Sequence, residues 1–254
     1  MSYFTREDHM ALLEAKAQLP DTEVGLQRLH RKLTTLHRTL YPHFRKQGIE
    51  LHSQVIDKAE VGFSSCACPF QTEMMTLSYM RSVQQAHTIE GAMGRDRNQL
   101  DTRCHPVIEI RITENAFVVE LIVASEAWFD QQNLAGKLTI DTHRHSFYNI
   151  LSNLDAEYLM GFWGGAQVDD MHLSSEKLPP PHVLHQWLDT FAAGRDYFRI
   201  GAWYDIEDER LSEDNIKQEI FERVRELSTI YDFISWNSNN NFHEFYKRSL
   251  AKVR

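Results

Sequence analysis

The clearest alternation of apolar and polar positions lies between His105 and Val123. Ile108, Ile110 and Ile112 fall on every second residue. After Glu114 and Asn115 the alternation resumes at Phe117, Val119, Leu121 and Val123. Two short runs of period two separated by turn-forming residues predict a β-hairpin. A loop centred on 114–115 pairs 112 with 117, 110 with 119 and 108 with 121. That register puts both apolar sets on one face, and a slip of one residue would turn one set away.

Helical periodicity flanks the hairpin. Thr5-Arg6-Glu7-Asp8 reads as a capping box with Asp in the place of Glu, which predicts a helix over 6–18 limited by Pro20. Thr22 opens a second helix to about Phe44, in which Leu26, Leu29, Leu33, Leu36 and Leu40 recur at spacings of three and four. This is a coiled-coil-type seam two heptads long. It predicts packing within the chain's own domain, or contact with another subunit or a second copy of the chain.

Gly48 ends that helix, and 49–70 reads as extended chain with turns. A strand is expected over 72–79, where Met75, Leu77 and Tyr79 alternate, and Ser82 with Gln85 caps a short helix over 83–93. Beyond the hairpin, 125–137 reads as a polar connection. Helices follow at 141–154 and 182–193, with a strand from Tyr158 that ends at Gly164-Gly165 and another over 197–204. Ser212 or Asp214 caps a final long helix carrying Ile216, Ile220, Val224, Leu227 and Ile230.

Adjacent hairpin strands with segregated helices predict an α+β fold, with an antiparallel or mixed sheet centred on 107–123. Pro179-Pro180-Pro181 is the clearest break. Three segments are expected within one compact domain: an N-terminal helical segment 1–47 with a basic face, a central α+β region 48–178, and a strand and long helix with a basic tail in 182–254.

Composition narrows the class. At 254 residues, 42% hydrophobic and 25% charged, the chain resembles an ordinary soluble globular protein able to bury a substantial core. No apolar run approaches the ~18 residues needed to span a bilayer. The first residues lack the basic-then-apolar layout of a signal peptide. Three cysteines are too few for a disulfide framework, which points to a reducing cytoplasm. There is no G-x-S-x-G elbow, Walker loop, Rossmann glycine fingerprint or H-E-x-x-H helix. Enzymes built on those motifs are therefore unsupported.

The net charge of −9 conceals an asymmetry. Arg28, Arg31, Lys32, Arg38, Arg45 and Lys46 fall between Val24 and Ile49 with no acid among them, leaving about −15 on the remainder. This helix is the candidate nucleic-acid face, through Arg28, Arg31, Lys32 and Arg38. Arg95 and Arg97 extend it, because phosphate contact needs only such charges. The alternative is that the basic helix docks on the acidic part of the same protein.

Three groupings carry candidate chemistry. The hairpin register sets Glu109 opposite Glu120, and like charges facing across strands need compensation. Such a pair can share a hard cation such as Mg²⁺, share a proton, or accept a guanidinium, with Arg111 two residues along on the same face. An upstream acid (Asp96 or Asp101), Glu109 and Arg111 resemble the acid…Glu-x-Lys pattern of metal-dependent nucleases, with Arg in place of Lys. That resemblance implies a phosphodiesterase or nuclease with Glu109, Glu120 and Arg111 in catalytic roles. Cys66, Cys68, Cys104 and His105 have the ligand types of a tetrahedral zinc site. His143 and His145 lie two apart on a helix and so do not share a face. On these patterns the leading expectation is a binding or assembly component, and the nuclease is the alternative.

Overall fold

The hairpin forms in the expected register. β3 (Val107–Thr113) and β4 (Ala116–Val123) pair antiparallel, with Ile112 opposite Phe117, Ile110 opposite Val119 and Ile108 opposite Leu121. The computed structural model describes residues 2–17, 22–53, 65–68, 74–92, 94, 101–154 and 157–242.

The other strands among the described residues are β1 (His52–Ser53), β2 (Met74–Met80), β5 (Leu159–Gly161), β6 (Leu173–Ser174) and β7 (Phe198–Asp205). All seven join one sheet of order β1-β2-β3-β4-β7-β5-β6, and every pairing is antiparallel. β7, from the last third of the chain, lies between β4 and β5, so the central and C-terminal segments share the sheet. The edge strands β1 and β6 are each two residues long.

Seven α-helices lie among the described residues: α1 (Arg6–Lys16), α2 (Thr22–Lys46), α3 (Val83–Ala92), α4 (Trp128–Leu138), α5 (Asp141–Ser152), α6 (Pro181–Leu188) and α7 (Ile216–Ile234). The fold is α+β. The apolar sheet face, with Ile108, Ile110, Ile112, Val119, Leu121 and Ile200, forms one core with the inward residues of α2, α4, α5 and α7.

Local chemistry explains several boundaries. Asp8 accepts the Thr5 backbone N–H at 2.9 Å, as the capping box requires. Gln85 accepts the Ser82 N–H at 3.0 Å at the start of α3. α2 runs through Pro42 to Lys46, two residues beyond the expected end, and Gly48 then takes the left-handed conformation at φ 74°. α6 stops at Leu188, short of the expected 193. α7 begins after Asn215 with no side-chain cap, so neither Ser212 nor Asp214 caps it with its side chain. The Ser212 carbonyl instead accepts the Ile216 N–H at 2.9 Å.

Two expectations need correction. The stretch 125–137 is not a polar connection, because Trp128–Leu138 is the helix α4. Four of its polar side chains, Asp130, Gln131, Asn133 and Lys137, are buried together with Leu134 and Leu138. Asn133 donates to the Ile234 carbonyl at 3.0 Å and Lys137 to the Phe233 carbonyl at 2.5 Å, satisfying the open carbonyl end of α7. Of the two readings of the leucine seam, packing within the chain's own domain is the one found, and from Leu29 to Leu40 the seam is not an available intermolecular contact. Leu29, Leu33, Leu36 and Leu40 are buried in the chain's own core, and Leu26 packs against it.

Candidate functional site

The sheet face away from the main core carries the carboxylate pair. Glu109 stands opposite Glu120, as the register requires, and both side chains are fully buried. Two arginines compensate them. Arg111 donates to Glu109 at 3.1 Å and to Glu120 at 2.8 Å. Arg199, on β7, donates its Nε to Glu120 at 3.0 Å and also reaches it through Nη2. The result is a linear alternation, Glu109–Arg111–Glu120–Arg199, with no exposed member.

Surrounding groups complete the network. Glu109 accepts the Ser65 hydroxyl at 2.6 Å and the Cys66 backbone N–H. Arg199 donates to the Gly165 carbonyl. The network therefore ties two covering segments, 65–66 and 165, to the sheet. Indole rings lie against the guanidiniums, Trp203 at 5.4 Å from Arg111 and Trp163 at 5.1 Å from Arg199. Gly201 stands beside Glu120 on β7, where an added Cβ would lie 2.6 Å from the glutamate Cβ. A glycine there lets the side chain lie flat across the sheet.

Electrostatics follow the geometry. Burial pushes the Glu120 carboxyl up, but the Arg199 and Arg111 guanidiniums outweigh it and hold the group below the usual carboxylate range. Arg111 is raised, its two glutamates overcoming the burial that opposes its charge. The two guanidiniums therefore compensate the charge on Glu120. A magnesium ion would have to displace a guanidinium to reach the carboxylates.

The other candidates are placed differently. Asp101 caps the short turn before β3 and binds Arg103 at 3.0 Å, while Asp96 lies outside the described residues. Cys66 and Cys104 are buried, Cys68 is partly exposed, and none of the three is in a disulfide. Burial, reinforced by the Glu109 charge, pushes the Cys66 thiol well up, which opposes the thiolate that zinc would bind. The expected Cys66, Cys68, Cys104 and His105 set is not assembled. Among the described residues, no three His, Cys, Asp or Glu side chains form a group able to hold a metal ion. His105 instead approaches Glu90 at 3.4 Å. His143 and His145 lie on α5, and His145 bonds to the carbonyl of Asp141 at 2.7 Å.

On α2 the cations divide into two sets. Arg28 and Lys32 both bind the buried Asp8 of α1, at 2.8 and 2.6 Å. Burial pushes the Asp8 carboxyl up, but bonds from Lys32, the Thr5 backbone and Arg28 bring it below its usual range. Arg31 and Arg38 are exposed, and neither forms an ion pair with a described residue. Arg95 and Arg97 lie outside the described residues. Sequence reasoning missed Arg199 and Asp8 as partners. The signals were a lone arginine inside the apolar run Phe198–Ala202, and a capping aspartate with a second oxygen to spare.

The chain matches no known protein family, and no curated protein resembles it significantly.

Proposed function

We propose that the protein is a binding or assembly component that meets a negatively charged partner through the outward face of α2. The observation that supports this is the division of cations on that helix. Arg28 and Lys32 are consumed by Asp8, whereas Arg31 and Arg38 remain in solvent beside a groove of about 590 Å³. Nucleic acid is the first partner to test, since sequence-independent phosphate contact needs only such charges. Arg95 and Arg97 belong to the same reading. The metal-dependent nuclease is the weaker alternative, because Glu109 and Glu120 are already bound by arginines. We place the protein in the cytoplasm on its low cysteine count. No helix among the described residues is long and apolar enough to cross a membrane.

The test is fluorescence anisotropy of labelled duplex DNA, single-stranded RNA and polyglutamate, between about 50 and 200 mM salt. Affinity should fall as salt rises. Replacing Arg31 and Arg38 together with Gln should weaken binding and flatten the salt slope, by roughly two for DNA as two phosphate contacts go. Wild-type protein with no salt-dependent affinity for any of the three would sink the reading.

A further inference from the structure

The outward face of α2 carries its own seven-residue repeat, on the side away from the leucines. Arg31, Arg38 and Arg45 are all exposed and recur every seventh residue. Seven helical residues advance about 10.5 Å and nearly complete two turns, so these arginines form a row. Arg31 and Arg38 border the groove whose other walls include Leu26, His30, Thr34 and Met75. Leu26 and Met75 belong to or pack on the main core, so the groove has an apolar component beneath its cations. Thr34 adds a buried hydroxyl with no hydrogen-bond partner. Glu23 is the one acid along the groove among the described residues.

We propose that this groove receives an acidic, amphipathic helix from a partner protein; the inference rests on α2 being the binding face. Carboxylates seven residues apart on such a helix repeat at the same interval of about 10.5 Å as the arginines. Its apolar residues would meet the partly exposed Leu26, in the manner of a helix laid in a groove. Every third phosphate along one strand of duplex DNA, at about 3.4 Å each, comes near the same interval, so spacing by itself does not separate the two partners. Phosphates bring no apolar group to the floor, and that difference favours the helix. The chain as a whole carries −9, with eight acids against two bases between Asp205 and Glu222. A long polyanion would feel that repulsion, whereas a short acidic helix confined to the groove meets mainly cations.

The experiment titrates the full chain into three labelled probes. One is a synthetic helix of about 18 residues, five turns, with Glu every seventh residue and Leu on the adjoining stripe. The second is the same composition scrambled, and the third is a DNA duplex. The patterned helix should bind saturably and more tightly than either control. Replacing Arg31 and Arg38 together with Gln should weaken it about tenfold, the loss expected from two exposed ion pairs. Leu26→Ala should weaken the patterned helix as well, and each variant's unfolding curve shows whether it is folded at the assay temperature. Equal binding of the scrambled peptide, or tighter binding of the duplex, overturns the helix proposal and leaves the anionic-partner reading standing. Binding of no probe overturns both.

Discussion

At the scale of single residues, the Glu109–Arg111–Glu120–Arg199 network determines what the polar sheet face can do. Each carboxylate has lost water and regained its bonding from arginine, backbone or hydroxyl. Removing one member strands the rest. Glu120→Gln takes away the carboxylate that Arg199 binds and leaves Arg111 with Glu109 alone, and should cost about 3–5 kcal/mol in urea denaturation. A loss below about 1 kcal/mol would mean that water reaches the network, as it does at exposed pairs. Gly201→Ala should also destabilise, because its new Cβ meets Glu120 backbone as well as side chain. The pH dependence has two steps. His9 is 1% exposed, with its Nδ1 2.6 Å from the Thr113 carbonyl, and desolvation holds it below its ordinary 6.5. The unfolded chain then takes up the proton first, so stability declines as pH falls below about 6.5. Glu120 and Asp8 also sit below their ordinary values, so their contribution is present above about pH 4.5 and is lost as pH falls through the lowered values. His9→Gln should diminish the upper step, to which His52, His143 and His185 also contribute because desolvation lowers them too, and leave the lower step, as read from unfolding free energies at several pH values.

At the scale of elements, α2 and α4 each have a buried polar device that composition disguises. Asp130, Asn133 and Lys137 lie on one side of α4 and hold the end of α7 and the chain after it. Asp130 accepts the Trp236 N–H at 2.7 Å and is also bonded by Arg81. Asn133→Ala should destabilise by about 1–3 kcal/mol, because it leaves the Ile234 carbonyl and the Phe242 N–H without that partner. On α2, Arg28→Gln combined with Lys32→Gln should lower stability measurably, since it strands the buried Asp8 carboxylate. The same change at Arg31 and Arg38 should leave stability essentially unchanged. Equal losses from the two pairs would contradict the division of labour along the helix. Leu33→Asp should unfold the protein rather than dissociate an oligomer, because Leu33 is fully buried in the chain's own core. Circular dichroism and light scattering of that variant separate the two outcomes.

At the scale of the molecule, one sheet gathers strands from the central and C-terminal segments, and α2 and α7 pack on its apolar face. Such shared packing should give a single cooperative transition. Far-ultraviolet circular dichroism and tryptophan fluorescence should then report the same midpoint. Separate midpoints would mean that the segments unfold independently. The same architecture governs the charge asymmetry. Part of the basic α2 is neutralised by α1 through Asp8, and the rest faces solvent on a chain of net −9.

The sequence by itself determined the hairpin, its register and the α+β class. Those features depend on residues a few positions apart, where period two and a turn leave one pairing that keeps the apolar side chains together. It also determined that Glu109 and Glu120 must meet, and that the meeting needs compensation. Tertiary structure decided what compensates them. Arg199 lies 79 residues from Glu120 and becomes its neighbour only because β7 inserts beside β4. The seam was legible as apolar periodicity, but its partner was not, since the same leucines suit a core or a second chain. The helix α4 was illegible because four of its six buried side chains are polar, and polar residues are accepted there only when distant groups come to meet them. The cysteines and His105 offered suitable ligand chemistry, but only the fold could show whether they converge. Short-range periodicity is written in the chain; the pairing of buried charge depends on which distant strands become neighbours.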